Sequence, residues 1–263
     1  MQTNDGFFTS LAIQRRVVYA LIMREIITRY GRHNVGFVWL FVEPMLFTLG
    51  IMALWSTGRF GHGDGISVAA FAITGYSSVL MWRNTATRCT KAIESNLSLM
   101  YHRNVKVFDI LVSRVILEVV ATTISFLLLT LVFSYFGFIK PPHNLLVLLI
   151  GWILLAWFSF ALGIIVGCVS EQSELFDRVW HVVTYLLFPL SGAVFMVEWL
   201  PRSARNIVLW LPMVHGTEMI RHGFFGNLIN THESPLYFCT ANLFLTFVGL
   251  LMIKDVQKKV QPE

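Results

Sequence analysis

Apolar residues in this 263-residue chain fall into long separated runs rather than the short amphipathic stripes of soluble helices. Crossing the hydrocarbon of a bilayer takes about 20 mainly apolar residues in helical form. Runs that approach or exceed that length cover 35–55, 66–82, 115–138, 144–169, 179–200 and 236–253. The pattern predicts an all-α polytopic membrane protein with six transmembrane helices. Residues 1–34 are expected to form an interfacial helix, 35–253 the transmembrane domain and 254–263 a polar tail.

Composition agrees with a bilayer as solvent. The chain is 56% hydrophobic and 13% charged, where soluble domains carry roughly 25% charged residues, and this excludes an ordinary soluble domain. The net charge of +5 would point to nucleic acid in a soluble protein. Here the basic residues avoid the apolar runs, so membrane lipids are the expected partners and nucleic acid is not. Cys89, Cys168 and Cys239 have neither disulfide-framework nor zinc-ligand spacing. The stretch Val17–Met23 between arginines lacks a small-residue cleavage site, so no removable signal peptide is expected.

Placing alternate loops on opposite sides puts fifteen basic residues on one face and five on the other. Loops rich in Lys and Arg resist translocation, so the fifteen-residue face is expected to be cytoplasmic, with both ends of the chain. Trp39, Trp55, Trp82, Tyr135, Trp199 and Tyr237 lie near span ends, as interfacial aromatics do. Residues 8–34 carry Arg15, Arg16, Arg24, Arg29 and Arg32 around the wheel, which suits a helix at the inner headgroups.

The inner segment 83–114 is long for a simple connection. Ala86, Cys89, Ile93, Leu97 and Met100 recur at helical spacing before Tyr101, His102, Arg103 and Asn104 interrupt the pattern. A bent hairpin with a docking tip is expected. Glu171, Glu174 and Asp177 make the second inner loop acidic, either solvated or facing the same partner. On the other side, Pro201–Gly226 is too apolar for a free loop and too short to span. Short re-entrant helices before the last span are expected there.

Glu43, Glu118 and His181 are costly in hydrocarbon and should face other helices or a wet cavity. Arg114, one turn before Glu118, predicts a local ion pair, while Glu43 beside Pro44 is a mid-span candidate for a transport path. Pro189, Ser191 and Gly192 predict a break in the fifth span. HExxH, GxSxG and GxGxxG are absent, as is any Gly-Lys dipeptide, so no P-loop is present. His215, Glu218 and His222 are readable as an acid/base or metal set, or as a solvated helix face.

Arg24, Arg29, Tyr30 and Arg32, followed by Gly36, Trp39, Glu43 and Pro44, resemble the start of the first span of ABC-2 type exporter permeases. Pro212, His215, Glu218 and Arg221 in LPMVHGTEMIRHGFF resemble that family's segment before the final span. FVEPMLF is most similar to permeases exporting group 2 capsular polysaccharide in Gram-negative bacteria.

This resemblance implies a homodimeric permease in the inner membrane, working with two separate ATPase subunits that hold ATP and magnesium; no cofactor is expected in this chain. It implies an acidic, lipid-terminated glycan as cargo, with periplasmic adaptor and outer-membrane export proteins as further partners. ATPase coupling is then expected at Leu97, Met100, Tyr101, His102, Arg103 and Lys106. Tyr76, Trp152, Trp157 and Phe160 are candidates to line the glycan path. An O-antigen or teichoic-acid permease, a membrane glycosyl- or acyltransferase, and an ion-coupled transporter or channel are the competing readings.

Overall fold

A computed structural model describes residues 6–30, 34–57, 66–102 and 105–260. Among these there are ten α-helices and no strand: α1 (Phe7–Tyr30), α2 (Asn34–Thr57), α3 (Val68–Cys89), α4 (Leu97–His102), α5 (Val107–Tyr135), α6 (Leu145–Gln172), α7 (Glu174–Leu190), α8 (Arg202–Val208), α9 (Pro212–Phe225) and α10 (Pro235–Val260). Arg32 of the family-like motif and Arg103 of the expected coupling segment, and also Gly31 and Asn104, lie outside the described residues.

Stretch Val38–Ser56 of α2 and the whole of α5, α6 and α10 are long and apolar enough to cross a membrane by length and composition. Two of the six expected spans differ from these for physical reasons. Helix α3 is 22 residues long, about 33 Å at 1.5 Å per residue, but holds Thr74, Ser77, Ser78, Thr85, Arg83 and Asn84. Residues from Ala70 to Trp82 are all buried, so protein rather than lipid surrounds most of it. Its hydroxyls bond back to their own helix, Thr74 to the Ala70 carbonyl at 2.8 Å and Thr85 to that of Met81 at 2.6 Å. Helix α7 has 17 residues and stops at Leu190. Gly192, with φ of +81°, supports the turn that follows, as expected from the Pro189–Gly192 signal.

Helix α6 is the hub, packed against α3, α5, α9 and α10. Its start is fixed by the Asn144 side chain, which accepts from the backbone N–H groups of Leu146 and Val147 at 3.1 and 3.2 Å. The main core joins Ile73, Trp82, Phe126, Trp152, Leu155 and Ile220 from α3, α5, α6 and α9. Outward faces remain apolar, as with Leu128 and Leu131 on α5, Ile153 on α6 and Phe244 and Phe247 on α10. That inverted pattern is what a lipid-exposed bundle shows.

The helices overrun their apolar windows at the end rich in basic residues. Helix α3 continues from 82 to Cys89, α5 begins at Val107 rather than 115, α7 begins at Glu174 rather than 179, and α10 continues from 253 to Val260. Each of these extensions is between one and two and a half turns, up to about 12 Å. At the opposite end the boundaries fall close to the apolar limits, apart from the short α7.

Candidate functional site

The overrunning ends are joined by ion pairs. On α1, Arg29 reaches Glu25 one turn away at 2.7 Å and also pairs with Glu118 of α5. Arg88, in the last turn of α3, stands 3.6 Å from Glu118 and 3.5 Å from Glu43 of α2. Arg114 of α5 lies 3.4 Å from Glu25 and donates to the Arg88 carbonyl at 2.7 Å. Gln14 donates to Asp109 at 3.0 Å, and Arg24 bonds Asn96. Four helices, α1, α2, α3 and α5, therefore share one charge lattice with the nearly buried Glu118 at its centre.

This lattice corrects two sequence expectations. Arg114 does not pair with Glu118; it faces Glu25, while Glu118 is taken by Arg29 and Arg88. Arginine preceding glutamate is the weaker order for an i,i+4 pair, and tertiary partners prevail. Glu43 is not an isolated mid-span charge: it shares the level of Arg88 at the basic end of α3. Helix α2 runs unbroken through Pro44, whose carbonyl accepts from the Thr48 hydroxyl at 2.9 Å.

Beyond the lattice lies the hairpin between α3 and α5. The expected stripe is real, but a turn splits it: α3 ends at Cys89 and Lys91 takes φ of +51°. Ala86, Cys89, Ile93 and Met100 are all buried, the last three in a cluster with Leu21 of α1 and Ile253 and Val256 of α10. Leu97 packs at the edge of this cluster, Tyr101 and His102 end α4, and exposed Lys106 caps α5, its backbone N–H bonding Asp109 at 3.1 Å. Asp177 of the second loop is buried, not solvated: it accepts from the Ser170 hydroxyl and lies 3.7 Å from Lys91 Nζ. Ser170 also accepts from the Lys91 backbone N–H at 3.0 Å, so the turn after α3 is clasped against the end of α6 and the start of α7, which occupy most of the expected second loop.

At the far end, α9 lies across the turn that ends α7. Arg221 is fully buried and donates to the carbonyls of Phe195 at 2.6 Å and Ala193 at 3.0 Å. The Thr217 hydroxyl donates to the Ser191 carbonyl at 3.3 Å. These side chains supply the bonds that a continued α7 would have made. Glu218 lies 4.0 Å from Arg221, whose guanidinium also stacks 4.2 Å from the Phe71 ring centroid. His215 is likewise buried: Nδ1 accepts from the Ser234 N–H at 3.0 Å, which leaves Nε2 to donate to the Leu209 carbonyl at 2.9 Å. Burial lowers its pKa, in keeping with this neutral tautomer.

His215, Glu218 and His222 thus form neither a solvated face nor a ligand set, because the first two are buried in separate structural contacts. No group of residues able to hold a metal occurs among the described residues. His222 instead pairs with Glu233 at 2.5 Å, and His232 with Glu198 at 2.5 Å, closing the segment on itself.

The four aromatic candidates sit within the packed chain. Tyr76 meets Phe188 edge-on; Trp152 stacks 4.4 Å from Phe126 and donates to Thr123 at 2.9 Å. Trp157 donates to Thr246 at 3.0 Å, and Phe160 meets Phe108 edge-on. Trp82, expected in the interfacial belt, is fully buried in the core, whereas Trp39, Tyr135 and Trp199 are exposed. From the sequence, Arg88 and Lys91 count only as charges of the inner segment, and Arg114 takes the wrong partner. Their signal was a basic residue in register with a continuing helix, hidden by ending each helix where hydropathy fell.

Among the described residues, ten α-helices with apolar outer faces, four of them with stretches long and apolar enough to cross a bilayer, define a helical membrane protein. The family model for the ABC-2 type transporter matches residues 16–225, and the chain belongs to that family. It is 46% identical to the capsule polysaccharide export inner-membrane protein BexB of Haemophilus influenzae over 265 aligned residues, covering 100% of both chains. It is 45% identical to the capsule polysaccharide export inner-membrane protein CtrC of Neisseria meningitidis serogroup B, covering 98% of this chain and 97% of that one. The polysialic acid transport protein KpsM of Escherichia coli is 27% identical over 92% of this chain and 94% of its own.

Proposed function

We propose that this chain is the inner-membrane permease of an ABC exporter of capsular polysaccharide. The observation that carries this reading is identity of 46% along the whole length of a capsule polysaccharide export inner-membrane protein. The family match supports the same assignment. ATP hydrolysis belongs to a separate partner, since the chain has no Gly-Lys dipeptide and so no P-loop.

In this reading the membrane is crossed six times, by α2, α3, α5, α6, α7 with the turn after it, and α10. The basic end is cytoplasmic, by the Lys and Arg asymmetry of the loops. Exposed Tyr19, Met23 and Ile27 of α1 rest at the inner headgroups, beside Arg16 and Arg24. Helices α8 and α9 dip into the outer leaflet, and Arg221 bonds the carbonyls that would otherwise be unpaired there. The clasped segments around Leu97–Lys106 and Ser170–Asp177 receive the ATPase. Two copies enclose the glycan path, because one copy's core is filled by its own side chains. Envelope proteins beyond the inner membrane take the glycan onward.

The test is affinity purification of the full-length chain from membranes, together with cysteine labelling at Ser98→Cys and Asn227→Cys. A co-purifying P-loop ATPase is expected, with the first cysteine labelled only from the cytoplasm and the second only from outside. Labelling of both from one side, or export of capsule in cells lacking the chain, would refute the assignment.

A further inference from the structure

The turn between α5 and α6 closes the end of the bundle away from the hairpin. Gly137, with φ of +74°, ends α5, and the N–H groups of Gly137 and Phe138 donate to the carbonyls of Ser134 at 3.1 Å and Phe133 at 2.9 Å. The turn is then fastened to two other elements. Ser67, just before α3, donates its hydroxyl to the Phe138 carbonyl at 3.1 Å. The N–H groups of His143 and Asn144 donate to the α9 carbonyls of Phe224 at 3.1 Å and Gly223 at 2.8 Å. Gly226 after α9 has φ of +58°, and a Cβ there would stand 2.7 Å from the His143 ring, so glycine lets that ring seat against α9.

Between these three elements lies a cavity of about 560 Å³, inside the range of roughly 300–1,000 Å³ of small-molecule sites. Buried Ala70, Ile139, Phe224 and Phe225 form its walls, together with exposed Leu228. Lys140 and His143 are exposed lining residues, so they stand on its open side. No hydrogen bond or ion pair joins either side chain to another described residue, and no carboxylate is among the described residues that line the cavity.

Lipid contact brackets this cavity. Leu131 and Val132 near the end of α5, and Leu145, Leu146 and Leu149 at the start of α6, are exposed apolar residues, so the turn stands at the boundary of the hydrocarbon. Exposed Tyr135, Phe136 and Phe138 are the aromatics of such a boundary. Phospholipid phosphates lie at this level, where the Lys140 ammonium complements their charge and the His143 ring can donate an N–H. A sugar would need several directed polar partners, which the buried walls lack. An extended peptide would need an open strand edge, and no strand occurs among the described residues.

We infer that this cavity binds a phospholipid of the outer leaflet, an acyl chain against Ala70, Ile139, Phe224 and Phe225 and the phosphate on Lys140 and His143. Such a chain touches α3, the α5–α6 turn and α9 at once, and so braces the outer insertion that holds the end of α7. The inference uses the membrane placement of the exporter reading and nothing of its cargo.

The experiment uses the full-length protein in detergent, with retention of dioleoylphosphatidylglycerol and dioleoylphosphatidylcholine measured by native mass spectrometry, so its result does not depend on export. The anionic lipid is expected to be retained more strongly and to raise Tm. Lys140→Gln should weaken its retention about fivefold, the contribution of one lysine at a membrane surface. Asn227→Trp, which places a ring in the lining, should lower retention of both lipids. Arg202→Gln removes an exposed cation from the same end of the chain and should leave retention as in wild type. Equal retention by wild type and Lys140→Gln, or equal weakening by Lys140→Gln and Arg202→Gln, overturns the site. A photo-crosslinker attached at Asn227→Cys in membranes then identifies the occupant. A phospholipid adduct supports the inference, and a protein or glycan adduct in its place overturns it.

Discussion

Replacing Arg221 with methionine keeps the length of the side chain and removes its charge and donors. Two carbonyls, the buried one of Ala193 and the partly buried one of Phe195, then lose their partners, and Glu218 loses its nearest cation. Each hydrogen bond from a charged group contributes about 1.5–3 kcal/mol, and breaking a buried pair from one side costs about 3–5 kcal/mol. The contributions overlap, so about 4 kcal/mol is expected rather than their sum. For a chain of this size that corresponds to a fall in Tm of roughly 8–16 °C. The assay is thermal unfolding of the detergent-solubilised protein, followed by the fraction that stays monodisperse on size exclusion. Arg221→Met with Glu218→Gln should recover part of the loss, because the stranded carboxylate goes too. Arg205→Gln, at a partly exposed pair 3.0 Å from Glu198, should cost no more than about 1 kcal/mol. An Arg221→Met protein melting within 2 °C of wild type, on the order of 1 kcal/mol or less, would show that α9 does not hold the end of α7 in this way.

Glu118→Gln should destabilise by about 3 kcal/mol, because Arg29 and Arg88 lose their shared anion; a Tm unchanged at low ionic strength would count against the lattice. Gly223→Ala places a Cβ 2.4 Å from the Leu148 backbone nitrogen, so it should reduce the amount of folded protein in membranes more than Gly50→Ala, where nothing lies within 4 Å. The outer segment should loosen in acid. The hydrogen bond with His232 holds the Glu198 pKa below its ordinary 4.5. Burial raises that of Glu233, but bonds with Thr231 and His222 outweigh it and the net shift is downward. Depressed carboxylate values give stability that is present above about 4.5 and is lost as pH falls through the lowered values. Proteolysis of the 227–234 segment should therefore rise below about pH 4.5, and a rate independent of pH would remove these pairs from the account.

Much of the fold was legible because hydropathy reports lipid contact directly. Stretch Val38–Ser56 and helices α5, α6 and α10, with outer faces of Leu, Ile and Phe, fall where the apolar runs predict. Hydropathy says less where protein replaces lipid around a helix. Helix α3 buries serines, threonines and an unbroken run of core residues, so its apolar window ended at 82 although the helix did not. Ion pairs were the least legible feature. Glu25, Arg29, Glu43, Arg88, Arg114 and Glu118 come from four helices, and apart from the i,i+4 pair Glu25–Arg29 nothing in their spacing says which will meet. The local pair Arg114–Glu118 was the natural choice from sequence, and tertiary geometry replaced it. The far-end insertion was recognised from Pro201 and Pro212, but the roles of Arg221 and Thr217 depend on where α7 stops, which only the fold reveals.

The overrun of the helices at one end has a mechanical consequence. Helix α5, with 29 residues, is a rod of about 43 Å, and its first two turns stand outside the apolar window with the hairpin attached. A sideways push of about 5 Å on that projecting end would tilt the rod by about 7° from its length alone. Because α1, α2 and α3 are tied to α5 by charge, they would swing with it. Force delivered at the hairpin would thus arrive deep in the bilayer as a change in the angle between helices, with no hinge required along the way.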